Sequence, residues 1–423
     1  MMKAYGWVFL ATGLVFVFAA VPLNALLGLP NGGHGLWLVL AGSLMVVLAR
    51  LSFLVAEDPF VDHLWDLLLL SKAVSSLLFI IFAVVDRNVN FLVGLIDAAI
   101  FVHLVVLRAG VHIPYRSRAA GRAGSFHEGW FVMAQDLASG KGFWARYGFS
   151  RLPGSERAEC RAVIFDKSAG RPAIARWERP VSEVESGAST AYRLGDSVLR
   201  AGSALGRGET ASWDLTWNGG SSGAFRLVPP GLAGAGLLPA GYESVEGLIH
   251  ATGEARVGDR SVRFDRAAAG VGHLWGSRGA RGWRWARAVF ERPDAPPTVF
   301  EILTAVAPLA AGIEVPMTAA YLLHGGKHYP AVGLLAALRA DSALDGKTWS
   351  FRVTCAGLPV EGECRLDEIC VAEFPFDGPR GVKGVCRTSM TGAMKLSIQG
   401  PEGLVMLVTE DRAIVEFAES PTN

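Results

Sequence analysis

Charged side chains are distributed very unevenly along this chain of 423 residues. Only 11 of them lie in residues 1–110, whereas residues 111–423 contain the other 68. Apolar runs fill the charge-poor part, at 7–29, 35–56, 64–85 and 91–107. Because a helix of roughly 20 apolar residues is long enough to cross a bilayer, these runs predict four transmembrane helices. A cleaved signal peptide would account for the first run alone.

Basic residues beside these runs predict their orientation. Lys3 precedes the first run, and arginines follow the fourth, namely Arg108, Arg116, Arg118 and Arg122. Because basic residues accumulate on the cytoplasmic side, both ends of the apolar segment are expected there. We therefore predict an integral protein of the inner, or cytoplasmic, membrane, with the lipid bilayer as one partner. Residues 109–124 are the predicted basic linker to a cytoplasmic soluble part.

Three ionisable residues inside the apolar runs need an explanation. Lys72 and His103 lie at the same predicted depth if the third and fourth runs form a hairpin, and Asp97 has apolar neighbours on both sides. They indicate either a polar pocket or proton path, or else snorkelling and hydrogen bonding between helices. The sequence leaves both interpretations open.

The overall charge and the cysteine pattern exclude several classes of protein. A net charge of +1 argues against nucleic acid as a partner, because phosphate binding requires a basic surface. The cysteines are odd in number and include no CxxC pair, so no disulfide framework is predicted. His324 and His328 have the spacing of two helical metal ligands, but Gly325 and Gly326 break any helix between them. We predict no metal and no cofactor.

After residue 125 the side-chain pattern changes to a period of two. Large apolar residues alternate with other residues in the segments 143–149, 283–290 and 349–355. A period of two predicts β-strands with one buried face, and Gly- and Pro-rich breaks separate these strands. Short strands punctuated by turns predict antiparallel barrels or sandwiches, and about 300 residues is long for a single barrel.

A motif of His and Trp about two-thirds of the way along the chain is the most specific local pattern. It reads Gly272-His273-Leu274-Trp275-Gly276 and is followed by Trp283-Arg284-Trp285. Trp144 and the segment Trp213-Asp214-Leu215-Thr216-Trp217 lie upstream. The segments 272–276 and 283–285 resemble the HxWG…WxW signature of a lipocalin-like family, the segment 213–217 resembles its W-x-L-x-W/F strand, and Trp144 lies in a stretch that resembles its opening. That family includes carotenoid 1,2-hydratases (hydroxyneurosporene synthases) and more distant tocopherol-cyclase-like proteins. It commonly has His-Asn-Trp-Gly, so Leu274 is a departure.

The resemblance implies lipocalin-like barrels and a hydrophobic small-molecule ligand, namely an isoprenoid, a carotenoid or another polyene lipid. The predicted fold class is an α-helical membrane domain of four transmembrane helices followed by an all-β soluble part of tandem antiparallel lipocalin-like β-barrels. The predicted domains are the transmembrane domain at 1–108, the linker at 109–124, and the two barrels at 125–265 and 266–423.

Hydration or cyclisation of an isolated alkene requires protonation of carbon and stabilisation of a carbocation. A buried acid supplies the proton, and aromatic faces stabilise the cation. The resemblance makes His273 the predicted acid or base, while Asp265 and Glu301 are predicted catalytic carboxylates because they lie near the motif in sequence. The predicted substrate-binding residues are Trp275, Trp283, Trp285, Trp213, Trp217 and Trp144. Filling the core is the alternative role for each tryptophan, since burying one removes a large apolar area from water.

The predicted function is that of a membrane-anchored enzyme, a hydro-lyase or cyclase, which hydrates, cyclises or isomerises a C=C bond of an apolar isoprenoid or polyene lipid. Two alternatives stay open. In one, a membrane-tethered protein binds or transfers a hydrophobic ligand without chemistry, and Leu274 in place of the family's Asn favours it. In the other, the soluble part senses a ligand and the membrane helices are the effector.

Overall fold

The computed structural model describes most of the chain. It covers residues 2–19, 22, 34–57, 67–77, 90–110, 115, 117–118, 125–152, 155–187, 190–218, 225–226, 240–276, 281–292, 294–308, 314–332, 334–377, 383–401 and 403–420. The chain divides into two compact units, Met1–Ile113 and Pro114–Asn423.

The first unit is helical where it is described. Its helices are α1 (Met2–Phe18), α2 (His34–Glu57), α3 (67–77) and α4 (Asn90–Gly110). Lys72 Nζ on α3 donates to Asp97 Oδ1 on α4 at 2.9 Å, and the Ser75 hydroxyl donates to the other carboxylate oxygen at 2.5 Å. His103 instead pairs with the Tyr5 hydroxyl, at 2.6 Å. Lys72, Asp97 and His103 are therefore partners in hydrogen bonds between helices.

The prediction of four transmembrane helices is wrong. In the part of the chain that is described, no helix combines the length and the apolar character that a membrane crossing requires. Helix α1 ends at Phe18, inside the first predicted span, and its 17 residues measure about 26 Å against a hydrocarbon thickness of roughly 30 Å. The predicted localisation as an integral membrane protein with a cytoplasmic domain is wrong for the same reason. Residues 23–33, 58–66 and 78–89, which include parts of the predicted spans, lie outside the described residues.

The second unit consists of two antiparallel sheets. The strands of the first sheet are β1 (His127–Asp136), β2 (Lys141–Leu152), β3 (Ser155–Phe165), β4 (Ala173–Arg179), β5 (Val184–Glu185), β6 (Thr190–Leu194), β7 (Ser197–Arg200), β8 (Ser203–Arg207), β9 (Ala211–Trp217), β10 (Phe225–Arg226), β11 (Ala240–Val257) and β12 (Arg260–Gly276). In space their order is β4-β3-β2-β1-β12-β11-β9-β8-β7-β6-β5, and β10 pairs with β11. The barrel boundary predicted at residue 265 falls within β12, so the first sheet continues to Gly276.

The second sheet follows in the chain. Its strands are β13 (Gly282–Arg292), β14 (Ala295–Pro308), β15 (Glu314–His324), β16 (Lys327–Ala331), β17 (Asp341–Asp345), β18 (Thr348–Cys355), β19 (Leu358–Arg365), β20 (Ala372–Asp377), β21 (Lys383–Gly400) and β22 (Gly403–Glu419). Their spatial order is β16-β15-β14-β13-β22-β21-β19-β18-β17, with β20 on β21. A short helix, α5 (Leu334–Arg339), precedes β17. The all-β prediction for this part of the chain is confirmed.

Side-chain alternation explains how these strands form a core. In β9 every second residue is buried, beginning with Ala211 and ending with Trp217, because successive side chains point to opposite faces of a strand. The first sheet curls, since the Tyr192 hydroxyl on β6 reaches the carbonyl oxygens of Gly148 and Glu159 on the distant strands β2 and β3. Each sheet encloses one apolar core, and a third core fills the space between the sheets. The fold class is thereby corrected: the described helices lack the length and apolar character of membrane spans, and two curled antiparallel sheets follow them.

A bulge interrupts the pairing of β11 with β12. The register shifts between Ala251 and Gly253, and Arg266 on the partner strand adopts the left-handed region with φ +53°. Gly253 has φ +144°, and a Cβ at this position would lie 2.0 Å from the carbonyl oxygen of Asp214. Glycine is therefore required at residue 253 both by its backbone conformation and by the close approach of β9.

We expect Gly253→Ala to lower the free energy of unfolding by about 2–3 kcal/mol, because the methyl group adds a backbone clash to an unfavourable φ. Gly258→Ala is the matched control: its φ is +60°, but no atom lies within 4 Å of the added Cβ. This control should cost only about 1 kcal/mol. Urea unfolding followed by tryptophan fluorescence measures both losses, and equal losses would contradict the role assigned to the close approach.

Candidate functional site

His273 lies fully buried inside the first sheet, between two carboxylates. Its Nε2 is 2.8 Å from Glu128 Oε1, and its Nδ1 is 3.0 Å from Glu243 Oε1. The side chains of Glu128 and Glu243 are at most 1% exposed. Both ring nitrogens therefore have a carboxylate partner in a place from which water is excluded.

Strand register brings the three residues together. His273 on β12 lies directly opposite Glu243 on β11, and β1 places Trp130 opposite His273 on the other side. Glu128 lies two residues before Trp130, so it shares the inward face of β1. Three neighbouring strands thus each direct one titratable side chain to the same point.

Aromatic rings cover the imidazole. The ring of Trp130 is stacked on His273 with centroids 4.4 Å apart and an interplanar angle of 2°. The ring of Trp275, two residues further along β12, lies 4.8 Å away. A positively charged imidazole is attracted to such ring faces, so both tryptophans favour the protonated form of His273.

Two residues of the segment before β1 complete the cluster. The Ser117 hydroxyl donates to Glu128 Oε2 at 2.6 Å, and the backbone N–H of Arg118 donates to Glu128 Oε1 at 2.6 Å. The Arg118 guanidinium lies 3.8 Å from Glu243 Oε1 and sits over the ring of Trp275 at 5.3 Å. With His273 protonated, two cations face two carboxylates, and the charges of the cluster balance.

The pKa of His273 lies above its ordinary value. Burial alone would lower this pKa, but the hydrogen bonds that the ring donates to Glu128 and Glu243 raise it by more. The imidazolium form is stabilised because each of its N–H groups donates to a carboxylate. The cluster is thus a buried proton donor with two adjacent bases.

Glu301 lies in a second buried cluster, between the two sheets. Its Oε1 accepts hydrogen bonds from the Tyr242 hydroxyl at 2.6 Å and from Trp285 Nε1 at 3.0 Å. Arg287 lies opposite Glu301 in the register of β13 and β14, and its Nη2 donates to the carbonyl oxygens of Gly247 and Ala269 in the first sheet. The structure therefore brings Glu301 and Trp285 together, but at a site apart from His273.

The remaining predicted residues lie elsewhere. Asp265 is exposed on β12, eight residues before His273, which is about 26 Å along a strand. Trp213 donates to the Tyr147 hydroxyl at 2.6 Å within the first core, and Trp217 lies at the end of the same strand. Trp144 packs between the sheets against Phe131 and Phe374, and Trp283 donates to Glu416 Oε1 at 2.5 Å in the second sheet. Of the predicted tryptophans, Trp275 is the one that lies beside His273.

Sequence reasoning missed Glu128, Glu243, Trp130, Ser117 and Arg118. A signal was present for Glu128, which directly precedes the apolar run 129–134, but not for Glu243, which has the polar neighbours Ser244 and Glu246. Their convergence on His273 could not be seen, since Glu128 is 145 positions away in the sequence and Glu243 is 30. Among the described residues, no group of three or more His, Cys, Asp or Glu is arranged to hold a metal ion.

Comparisons with known proteins give relatives at low identity. No protein-family model matches the chain. The uncharacterized proteins MT0513 and Rv0493c, from two strains of Mycobacterium tuberculosis, are 26% identical to it over 200 residues, which are 46% of this chain and 58% of theirs. The chain therefore matches less than two-thirds of the length of these curated relatives.

Two solved structures show a likeness in fold. A putative AttH (NE1406) from Nitrosomonas europaea has a TM-score of 0.46 and 13% identity, covering 73% of this chain and 96% of that protein. Kievitone hydratase from Nectria haematococca has a TM-score of 0.44 and 10% identity, covering 74% of this chain and 93% of that protein.

Protonation of His273 should make stability depend on pH. Its pKa is raised in the folded chain, so the folded state binds more protons than the unfolded state above pH about 6.5. The stabilisation is fully present below that pH and is lost as pH rises through the raised pKa, with a slope of at most about 1.4 kcal/mol per pH unit. Chemical denaturation from pH 5 to pH 9 measures this slope. It should be absent in His273→Gln and retained in the exposed-site control His250→Gln.

A second measurement addresses the cause of the raised pKa. In Glu128→Gln, one charged acceptor becomes neutral, so the pKa of His273 should fall. Selective ¹⁵N labelling of histidine and NMR titration report this pKa directly. An unchanged titration in Glu128→Gln would show that Glu128 does not hold the proton.

Proposed function

We propose that this chain is an enzyme that adds water to, cyclises or isomerises a C=C bond of an apolar isoprenoid or polyene lipid. The observation that carries the proposal is the buried His273, which donates to two carboxylates and is covered by the rings of Trp130 and Trp275. Such chemistry requires an acid, a base and aromatic faces in one water-poor place. The motif resemblance at His273 and Trp275 supports the same class of substrate.

A hydration reaction can be written with these residues so that every proton and every charge is accounted for. The His273 imidazolium transfers a proton to one alkene carbon, and the adjacent carbon becomes a carbocation that the faces of Trp130 and Trp275 stabilise. The oxygen of a water molecule then bonds to the cation, and its extra proton passes to Glu128 or Glu243. Return of that proton to His273 restores the starting state, and the product has gained one water. In isomerisation or cyclisation, the carboxylate takes a proton from carbon instead.

One feature of the cluster sets a requirement on this mechanism. Both nitrogens of His273 already donate to carboxylates, so a bound alkene must replace one of these hydrogen bonds before it can receive the proton. The contact with Glu243 is the longer of the two, and its carboxylate also faces Arg118, which is one-third exposed. We therefore assign the Nδ1–H of His273 to proton transfer and Glu128 to holding the ring.

A second candidate function is ligand binding without chemistry. The same occupancy of both ring nitrogens favours it, because a fully paired and fully buried His273 serves as a structural ion cluster in a carrier. On that proposal the apolar ligand binds stoichiometrically and leaves unchanged.

The two functions give different outcomes in one experiment. The full-length chain is incubated with acyclic isoprenoid alkenes (geranylgeraniol, squalene and lycopene) in H₂¹⁸O, and bound and released lipids are analysed by mass spectrometry. An enzyme yields a product with an added labelled water or a cyclised isomer. We expect this product to fall at least about 100-fold in His273→Gln and Glu243→Gln, since a general acid or base contributes that much. His250→Gln, a change at an exposed histidine, should retain it.

The other outcomes are equally decisive. Stoichiometric binding of an unchanged alkene by wild type and by His273→Gln would establish the carrier and contradict the enzyme. Absence of both binding and turnover, with folded protein verified by near-UV circular dichroism, would contradict both proposals.

A further inference from the structure

A cleft of about 580 Å³ lies between the two sheets, away from the His273 cluster. The first sheet contributes Thr216, Trp217, Asn218, Leu248, Ile249, His250, Thr252 and Arg266, and the second contributes Pro296, Pro297, Leu323, Gly326 and His328. This volume is in the range of sites for small molecules, which is roughly 300–1,000 Å³. Arg266 lies seven residues before His273 on β12, about 23 Å along the strand, so the two sites are separate.

The lining of the cleft combines apolar side chains with basic ones. Its walls include large apolar groups, among them Trp217, Leu248 and Leu323. Among the described residues that line it, the ionisable ones are one arginine and two histidines, and none is Asp or Glu. A ligand that matches both features has an apolar body and a negatively charged group.

Arg266 is the fixed cation of this cleft. Its backbone has φ +53° at the bulge opposite Thr252, and its N–H donates to the Thr252 hydroxyl at 3.3 Å. A left-handed conformation in a residue other than glycine costs about 1–3 kcal/mol, and such strain concentrates at functional sites. A β-bulge also changes the direction in which a side chain points, and bulges are common next to functional sites. In the described part of the chain, the guanidinium of Arg266 forms no ion pair.

Two histidines line the same cleft. His250 is exposed on β11, and its side chain forms no hydrogen bond within the described residues. His328 Nδ1 is hydrogen-bonded to the Tyr321 hydroxyl, which fixes the orientation of its ring. The cleft therefore offers one permanent cation and imidazoles that can donate, and its described lining residues include no competing carboxylate.

We propose that this cleft binds an amphipathic carboxylate, a molecule with a long apolar chain and one anionic end. The carboxylate pairs with Arg266, because a guanidinium presents two parallel N–H groups that match its two oxygens. The chain lies along Trp217, Leu248 and Leu323, where its burial is favourable in proportion to its apolar area. This site is independent of the chemistry proposed at His273.

Binding of cis-parinaric acid, a fluorescent polyene fatty acid, tests the proposal, with its methyl ester as the neutral counterpart. We expect the wild-type chain to bind the acid about tenfold more tightly than the ester at low salt, and the difference to shrink as ionic strength rises. Arg266→Gln should weaken binding of the acid by a similar factor and leave the ester unaffected. Arg263→Gln is the matched control, since Arg263 is exposed on the same strand and does not line the cleft.

A second variant tests the location. Leu248→Trp fills the cleft and should abolish binding of both probes. Equal affinity for acid and ester, or no effect of Arg266→Gln, would overturn the anion site. Binding that survives Leu248→Trp in a folded variant would place the probe elsewhere and overturn the cleft.

Discussion

Burial of an imidazolium ion is the constraint on which the first sheet depends. Moving a charged group out of water costs several kcal/mol unless partners compensate it. Two carboxylates compensate His273, yet by themselves they would leave an excess negative charge in the same apolar interior. Arg118 supplies the remaining cation, and its backbone N–H also satisfies Glu128. Ser117 and Arg118, which precede β1 in the chain, therefore stabilise the charges of the cluster.

Strand alternation connects this cluster to the second sheet. Tyr242 and Glu243 are neighbours on β11 and point to opposite faces, so Glu243 meets His273 while Tyr242 meets Glu301. Burial, together with the charge of Glu301, raises the pKa of Tyr242 well above its usual value, which keeps the hydroxyl protonated as a donor. Strand β11 supplies Glu243 to the His273 cluster, and the hydrogen bond from Tyr242 to Glu301 of the second sheet holds the opposite face of the same strand. Glu301 acts on the geometry of the cluster through β11, and no contact joins it to the imidazole.

The sequence predicted correctly those features that depend only on residues close together along the chain. His273 and Trp275 are two positions apart in a strand, so they had to share a face, and the period-two segments were strands. The partners Glu128 and Glu243 depend on which strands pair and in what register, and a single sequence does not contain that information. The apolar runs near the start of the chain failed for a related reason. Their length and hydropathy suggested that they face lipid, whereas Lys72 on α3 and Asp97 on α4 form an ion pair between two helices.

The pairing of β11 with β12 changes the interpretation of Leu274, which is the departure from the family motif. In sequence, Leu274 stands next to His273 where the family commonly has a polar Asn. In the sheet, it lies on the opposite face of β12, directly across from Tyr242 in β11. A polar residue at 274 would therefore face the contact between the sheets, near the hydrogen bond from Tyr242 to Glu301. Leu274 accordingly gives no argument against acid–base chemistry at His273. Whether His273 can transfer a proton depends on the free energy of replacing one of its two hydrogen bonds to a carboxylate by a contact with a bound ligand.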